Sequence, residues 1–251
     1  FQDLLRDLDR VPGIRWIRFL TSHPRDFTRE LVDAIAGLEK VCEHIHLPLQ
    51  AGSDRVLRRM NRRYTRAEYL DLVAYIRDRI PGVSLTTDLI VGFPGETEED
   101  FEQTLDAVRQ ARFDNAFMFV YSPRAGTPAA RWEDPVPLAE KKARLQRLME
   151  LQYAISLERN RELVGSRCEV LVEGPSEKDP RVFTARTRSN KLVLVPGRPG
   201  LEGKFAQVEI TEARTWTLAG RFLDGFGGAM AGWDGDRVNA CGRGCRVAAT
   251  G

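Results

Sequence analysis

Four times in the first 130 residues a short run of β-branched and aromatic side chains gives way to a loop of Gly, Pro and small polar residues. After three of these loops apolar residues recur at helical spacing. The runs are IRWIRFL (14 to 20), HIHLPL (44 to 49), VSLTTDLIV (83 to 91) and AFMFVY (116 to 121). Strands alternating with helices argue for parallel βα units in an α/β fold, because parallel neighbours need a crossover between them. Four strands cannot close an eight-stranded barrel, so either the sheet is open or further strands come from outside these residues. Phe27, Leu31, Ala34, Ile35 and Leu38 mark the first helix, and two more are expected near 54 to 61 and from Thr65 to about Arg79. Thr65 with Glu68 forms a capping box, Pro81-Gly82 ends that helix, and Thr97 caps the next over Phe101, Leu105 and Val108.

The pattern then changes. Pro137 suits a first helical position, and Leu138, Leu145, Leu148, Leu151 or Gln152, and Ile155 carry a long helix to about Leu163, with Gly165 beyond it. CEVLVEG, RVFTARTR, KLVLV, FAQVEITEA and TWTLAGRFL follow as five short strands, the pattern of a small β-barrel. After Leu223 the Gly- and Ala-rich stretch has no period and reads as a disordered or non-native tail. The domain expectation is therefore 1 to 137 for the parallel part, 138 to 163 for a connecting helix, 164 to 223 for the small barrel and 224 to 251 for the tail.

Composition excludes some classes. No run approaches the roughly 18 apolar residues of a membrane span, and no secretory leader opens the chain. Four cysteines in 251 residues are too few and too scattered for a disulfide framework, so a reducing cytoplasm is the expected setting. Thirty-eight basic residues against 36 acidic ones leave +2, so any nucleic-acid role must rest on local patches. Phe1 in place of Met suggests that the chain begins inside a longer protein.

In parallel βα sheets ligands bind at the carboxyl ends of strands. Here those loops are TSHPRD (21 to 26), PLQAGSD (48 to 54), GFPGET (92 to 97) and SPRAGTPA (122 to 129). Each combines hydroxyl, amide or carboxylate side chains suited to polar ligand atoms, and three add glycine, which permits close backbone approach. The segments His46 to Asp54, Asp88 to Thr97 and Tyr121 to Ala129 resemble the radical S-adenosylmethionine methylthiotransferases. Arg18 to Pro24 and Arg186 to Lys191 look most like the MiaB type, which modifies isopentenylated adenosine beside the tRNA anticodon.

The resemblance implies the C-terminal half of a radical-enzyme partial (β/α) barrel followed by an OB-like, RNA-binding TRAM barrel. It implies S-adenosylmethionine as cofactor, with Pro48, Gln50, Ser53, Asp88, Ile90, Gly92, Gly95, Tyr121, Ser122 and Thr127 in its pocket. It also implies two 4Fe-4S clusters in the full-length enzyme, the tRNA anticodon stem-loop as substrate, and an electron donor such as flavodoxin or ferredoxin. The cluster motif CxxxCxxC is not matched: Cys241 and Cys245 supply two positions, but Ala248 stands at the third. No metal ligand and no catalytic residue is therefore assigned, and the chain alone is expected to be inactive. His44 and His46 share a strand face without a third ligand and read as cavity-facing residues. Cys42 and Cys168 read as buried small hydrophobes.

Arg55, Arg58, Arg59, Arg62, Arg63 and Arg66 form a basic cluster with Tyr64 available for stacking; Arg58, Arg59, Arg62 and Arg63 are the expected phosphate contacts. In the small barrel Arg181, Phe183, Arg186, Arg188 and Lys191 are the expected RNA face. Two rival readings remain at this level. One is a sister enzyme acting on threonylcarbamoyladenosine or a ribosomal-protein aspartate, and the other is a non-catalytic RNA-binding module.

Overall fold

The computed structural model describes residues 1 to 20 and 23 to 223. The expected tail, the Cys241/Cys245 pair, and Thr21 and Ser22 lie outside the described residues. Helix α1 (Gln2–Arg10) and helix α2 (Arg29–Ala36) precede strand β1 (His44–His46), α3 (Asp54–Arg59) and α4 (Arg66–Arg79). Strand β2 (Ser84–Val91), α5 (Glu98–Ala111) and β3 (Asn115–Val120) complete a parallel sheet in the order β1-β2-β3. Both expected helix starts are present. Thr65 accepts from the Glu68 amide, Thr97 accepts from the Asp100 amide, and each acid reaches back to the cap.

Residues 14 to 20 do not form the expected strand. Ile17 makes a single parallel bridge to Val41, donating to Lys40 O at 2.7 Å and accepting from Cys42 N at 2.9 Å. The partner segment becomes a strand only at His44, so the ladder has one rung.

One face of the sheet is covered by helices and one is open. Leu85, Thr87, Leu89 and Val91 of β2 are buried on the helical side, whereas Thr86, Asp88 and Ile90 alternate onto the other and are only half-buried. In β3, Phe117 and Phe119 stand beside Asp88 and Ile90 in register and are 53% and 52% exposed.

Helix α6 (Leu138–Arg161) leads to strands β4 (Arg167–Pro175), β5 (Val182–Thr187), β6 (Leu192–Pro196), β7 (Phe205–Ala213) and β8 (Leu218–Phe222). These close a barrel in the order β4-β5-β6-β8-β7, antiparallel except for the β6 and β8 pair. Such a closed five-stranded barrel is the OB-like arrangement. Its interior is aliphatic apart from Phe183, with Val170, Val172, Val193, Val208 and Ile210 among the fully enclosed residues. Pro137 is the N-cap of α6 rather than its first helical residue.

The buried stripe of α6 differs from the leucine stripe read from the sequence. Leu138 is 59% exposed, while Lys141, Arg144, Gln152, Ser156 and Asn160 are buried beside Leu148 and Ile155. Two of these side chains tie the helix to its surroundings. The Gln152 amide donates to Phe113 O at 2.8 Å, and Asn160 donates to Arg214 O at 2.7 Å, so one helix is hydrogen-bonded to both parts of the protein.

His44 is buried at the amino end of β1, facing the open side. Desolvation, with Arg18, His46 and Arg186 adding to it and Asp114 partly compensating, pushes its pKa down to about 4. The imidazole is thus neutral when folded, while the unfolded chain takes up a proton near pH 6.5. Stability is therefore complete above pH 6.5 and falls as the pH drops toward 4, by up to about 3 kcal/mol. Urea unfolding from pH 7 to 4.5 should show this loss, and His44→Asn should flatten the slope.

Candidate functional site

The carboxyl ends of β1, β2 and β3 bring three of the expected loops together. After β1, Gln50 takes φ 70°, donating its amide to Asp88 O and accepting from Ile90 N, which extends the sheet by one parallel bridge. Tyr64 and Tyr69 brace this segment from below, donating to Leu49 O at 2.9 Å and Leu47 O at 2.6 Å. Tyr64 is thus buried and does not offer the stacking face expected beside the arginines.

Several residues expected to touch the cofactor have other partners. Ser53 is 1% exposed; its hydroxyl donates to Asp100 at 2.6 Å and caps α3. Burial alone would raise the Asp100 pKa, but hydrogen bonds from Arg55, Ser53 and Thr97 hold it far below the usual range. A Cβ on Gly52 would lie 2.4 Å from Gln103 O and 2.5 Å from Thr104 Cα, so this glycine admits the backbone of α5 rather than a ligand. At Gly92 a Cβ would meet Lys141 Cγ at 2.4 Å, so the space above that turn belongs to α6. Gly95 lies under the Arg59 guanidinium, and its carbonyl accepts from Arg55 at 2.6 Å.

The loop after β2 is held by a buried ion pair that sequence inspection missed. Glu96 accepts from Gly92 N at 2.7 Å and from Arg144 at 2.9 Å, the two side chains being 1% and 3% exposed. Burial raises the Glu96 pKa despite these donors. Lys141, one turn earlier in α6, pairs with Asp134. The three-residue spacing of Lys141 and Arg144 was the available signal, since it puts both cations on one helix face.

What remains available at the mouth is a smaller set. Asp88 is half-buried on the open face, 3.4 Å from His46 Nε2, whose Nδ1 lies 3.0 Å from the Thr86 hydroxyl. Ile90 and Phe119 lie one layer nearer the carboxyl end. Tyr121 packs edge-on to Phe93, and its buried hydroxyl has no hydrogen-bond partner. An orphaned buried hydroxyl at the mouth is what a polar ligand atom would satisfy. Ser122 is exposed, and Thr127 donates to Arg124 O at 2.8 Å.

The arginine cluster divides in the same way. Arg55 is tied to Asp100 and Arg66 to Asp106, whereas Arg58, Arg59 and Arg63 are exposed on and after α3, beside the mouth. Arg62 is half-buried, and Arg59 lies over Trp132 at 4.6 Å.

The expected RNA face of the small barrel needs correction. Phe183 is 3% exposed and belongs to the barrel core, on the same side of β5 as Ala185 and opposite Arg186. Arg188 grips Glu43 at 2.8 and 2.9 Å and donates to Val41 O and Glu39 O. Lys191 donates to Asp114 at 2.6 Å and Asn160 at 2.9 Å. Glu43 and Asp114 immediately precede β1 and β3, so these cations dock the barrel at the amino ends of the strands, away from the mouth. Arg15, paired with Glu169 at 2.7 Å and lying over Phe205, adds a third tie. Arg186 pairs with Glu173, and Arg181 with Asp179 at the surface.

Arg188→Ala and Lys191→Met together should therefore loosen the docking without unfolding either core. Limited proteolysis at residues 162 to 166 should accelerate several-fold, and an unchanged cleavage rate would show that these cations do not hold the two parts together.

Cys42 is buried near the amino end of the sheet and Cys168 lies in the small barrel, burial raising both thiol pKa values. Among the described residues no three His, Cys, Asp or Glu side chains are grouped as metal ligands, and no helix is long and apolar enough to cross a membrane.

The radical SAM superfamily model matches residues 1 to 108, and the TRAM domain model matches residues 161 to 223. A tRNA-2-methylthio-N(6)-dimethylallyladenosine synthase of Moorella thermoacetica is 59% identical over 225 residues, covering 90% of this chain and 51% of that protein. The chain thus carries a radical SAM match and a TRAM match, and it is similar to a methylthiotransferase over nearly all of its own length. Synthases of the same name from Syntrophomonas wolfei and Symbiobacterium thermophilum are 56% and 54% identical, each over 89% of this chain and over 50% and 48% of their own lengths. The chain thus spans about half the length of the curated methylthiotransferases it matches. A solved radical SAM enzyme, coproporphyrinogen III oxidase of Escherichia coli, aligns at a TM-score of 0.47 and 16% identity over 66% of this chain and 45% of that one. The radical SAM match spans β1, β2 and their helices as far as α5, and the TRAM match spans the five-stranded barrel.

Proposed function

We propose that this chain serves in a tRNA methylthiotransferase that places a methylthio group on C2 of isopentenyladenosine beside the anticodon. The observation that carries the reading is the 59% identity to a synthase of that activity, continuous across the radical SAM portion, α6 and the TRAM domain. Asp88, Ile90 and Tyr121 would hold S-adenosylmethionine: a carboxylate for ribose hydroxyls, an apolar wall for adenine and an unpartnered hydroxyl for a polar atom. Pro48, Gln50 and Gly92 shape the turns around them. When bound, this cofactor supplies methyl transfer and hydrogen abstraction. The described cysteines do not fit a 4Fe-4S cluster, since Cys42 and Cys168 stand in different parts of the protein.

The residues of the chain would orient the cofactor and exclude water from the open face, while Arg58, Arg59 and Arg63 meet the RNA backbone at the rim. Arg181 and Arg186 remain as TRAM contacts for the same tRNA, now assigned without Phe183, Arg188 and Lys191. Such chemistry takes place in the cytoplasm and draws on an electron donor of the flavodoxin or ferredoxin kind. Deleting the gene that encodes this chain should remove the 2-methylthio group from isopentenyladenosine in cellular tRNA, as read by mass spectrometry of nucleosides. Retention of that nucleoside, or loss of the methylthio form of threonylcarbamoyladenosine instead, would overturn the assignment.

A further inference from the structure

Phe117 and Phe119 are the feature of the open face that cofactor binding does not require. Large aromatic side chains in a sheet are ordinarily enclosed, yet both rings are more than half exposed in a parallel strand whose alternate residues pack on helices. Phe117 is flanked by fixed polar groups. In register beside it is Asp88, and His46 meets its ring edge-on with centroids 6.0 Å apart. Both imidazole nitrogens already have neighbours, Asp88 and the Thr86 hydroxyl, so no ring N–H is left to receive a ligand carboxylate. Among the described residues no Lys or Arg lies over either ring, so the face offers phenyl surface beside a carboxylate. It favours an uncharged alkyl group and opposes an acidic one.

We propose that Phe117 and Phe119 form the wall that reads the N6 substituent of the target adenosine, admitting a branched alkyl group and rejecting one that carries a carboxylate. This rests on the tRNA reading above and deepens it, naming the residues that choose among modified adenosines. The alkyl chain lies against the rings, and the base is thereby held with its C2 edge toward the mouth.

The test is equilibrium binding of the chain to three anticodon stem-loops that carry adenosine, isopentenyladenosine or threonylcarbamoyladenosine at the same position. The alkylated RNA should bind about tenfold more tightly than the unmodified one, and the carboxylate-bearing RNA no more tightly than it. Phe117→Ser with Phe119→Ser should bring the three within about twofold of one another with affinity for unmodified RNA unchanged, while Phe119→Leu keeps the preference. An alkyl preference that survives the double variant, a wild-type chain that does not distinguish the three, or an equal loss for all of them in the double variant would each overturn the proposal. The gene-deletion result is independent of these outcomes, so the tRNA reading can stand while the wall is refuted. Failure of wild type to bind any of the three would overturn the wall and leave the gene deletion as the test of the tRNA reading.

Discussion

Gly52→Ala should be among the most damaging single substitutions in the protein, although it adds one methyl group. The new Cβ would lie 2.4 Å from Gln103 O and 2.5 Å from Thr104 Cα, and both are main-chain atoms of α5 that no rotamer change can move aside. Overpacking against side chains typically costs about 1 to 3 kcal/mol, and against rigid backbone the upper end or beyond is expected. The Gly52 amide also donates to Thr104 Oγ1 at 2.9 Å, so a shift that relieves the clash breaks a buried hydrogen bond. The expected result is a melting temperature lower by about 6 to 12 °C, or loss of soluble protein. Ser122→Ala, on an exposed part of the mouth, should leave the melt unchanged. A Gly52→Ala protein that melts with the wild type would show that α5 does not pack against this turn as closely as described.

The second large effect is expected at Arg144. Its guanidinium is the buried counterion of Glu96 and fixes the turn after β2 through that carboxylate and the Glu96 carbonyl. Arg144→Leu leaves a carboxylate in an apolar setting without its cation, a change that typically costs about 3 to 5 kcal/mol. Glu96 already has a raised pKa, and without Arg144 it should rise further, so the folded variant binds a proton that the unfolded chain releases above about pH 4.3. The defect should therefore be smallest in acid and grow as the pH rises through the folded-state pKa of Glu96. Denaturant unfolding at pH 5 and pH 8 measures this, and adding Glu96→Gln to Arg144→Leu should recover much of the loss. A single variant that is equally destabilised at both pH values, with no recovery in the double, would mean that Arg144 acts by packing rather than by charge.

Both predictions concern motif loops, one through Gly52 itself and one through the buried partner of Glu96, and both differ from what the motif alone suggests. Glycine in a loop at a strand's carboxyl end reads as room for a ligand, because sequence shows the missing side chain but not what fills the space. At Gly52 that is the backbone of α5, and at Gly92 it is the stem of Lys141. The same holds for cations. Arg188 and Lys191 sit in a basic stretch that fits RNA, but their partners Glu43 and Asp114 are 145 and 77 residues away along the chain, beyond any local pattern. Phe183 is different, since its burial was legible: two-residue alternation in VFTART sets it with Ala185 against Arg186.

The sequence by itself determined the elements that rest on local physics. The βα alternation, the caps at Thr65 and Thr97, the Gly165 end of the long helix and the five short strands all follow from periodicity, capping and turn chemistry within a few residues. The motif order likewise pointed to the radical SAM and TRAM matches. Only the tertiary structure decided which side of the sheet stays open, because AFMFVY is apolar on both faces and has no alternation to read. It also decided that the inner stripe of α6 is polar. Lys141, Arg144, Gln152 and Asn160 become buried because Asp134 and acceptors on the loop after β2, on Phe113 and on the TRAM domain converge there, and burial without them would be prohibitive. Those acceptors come together only when distant segments fold against one another.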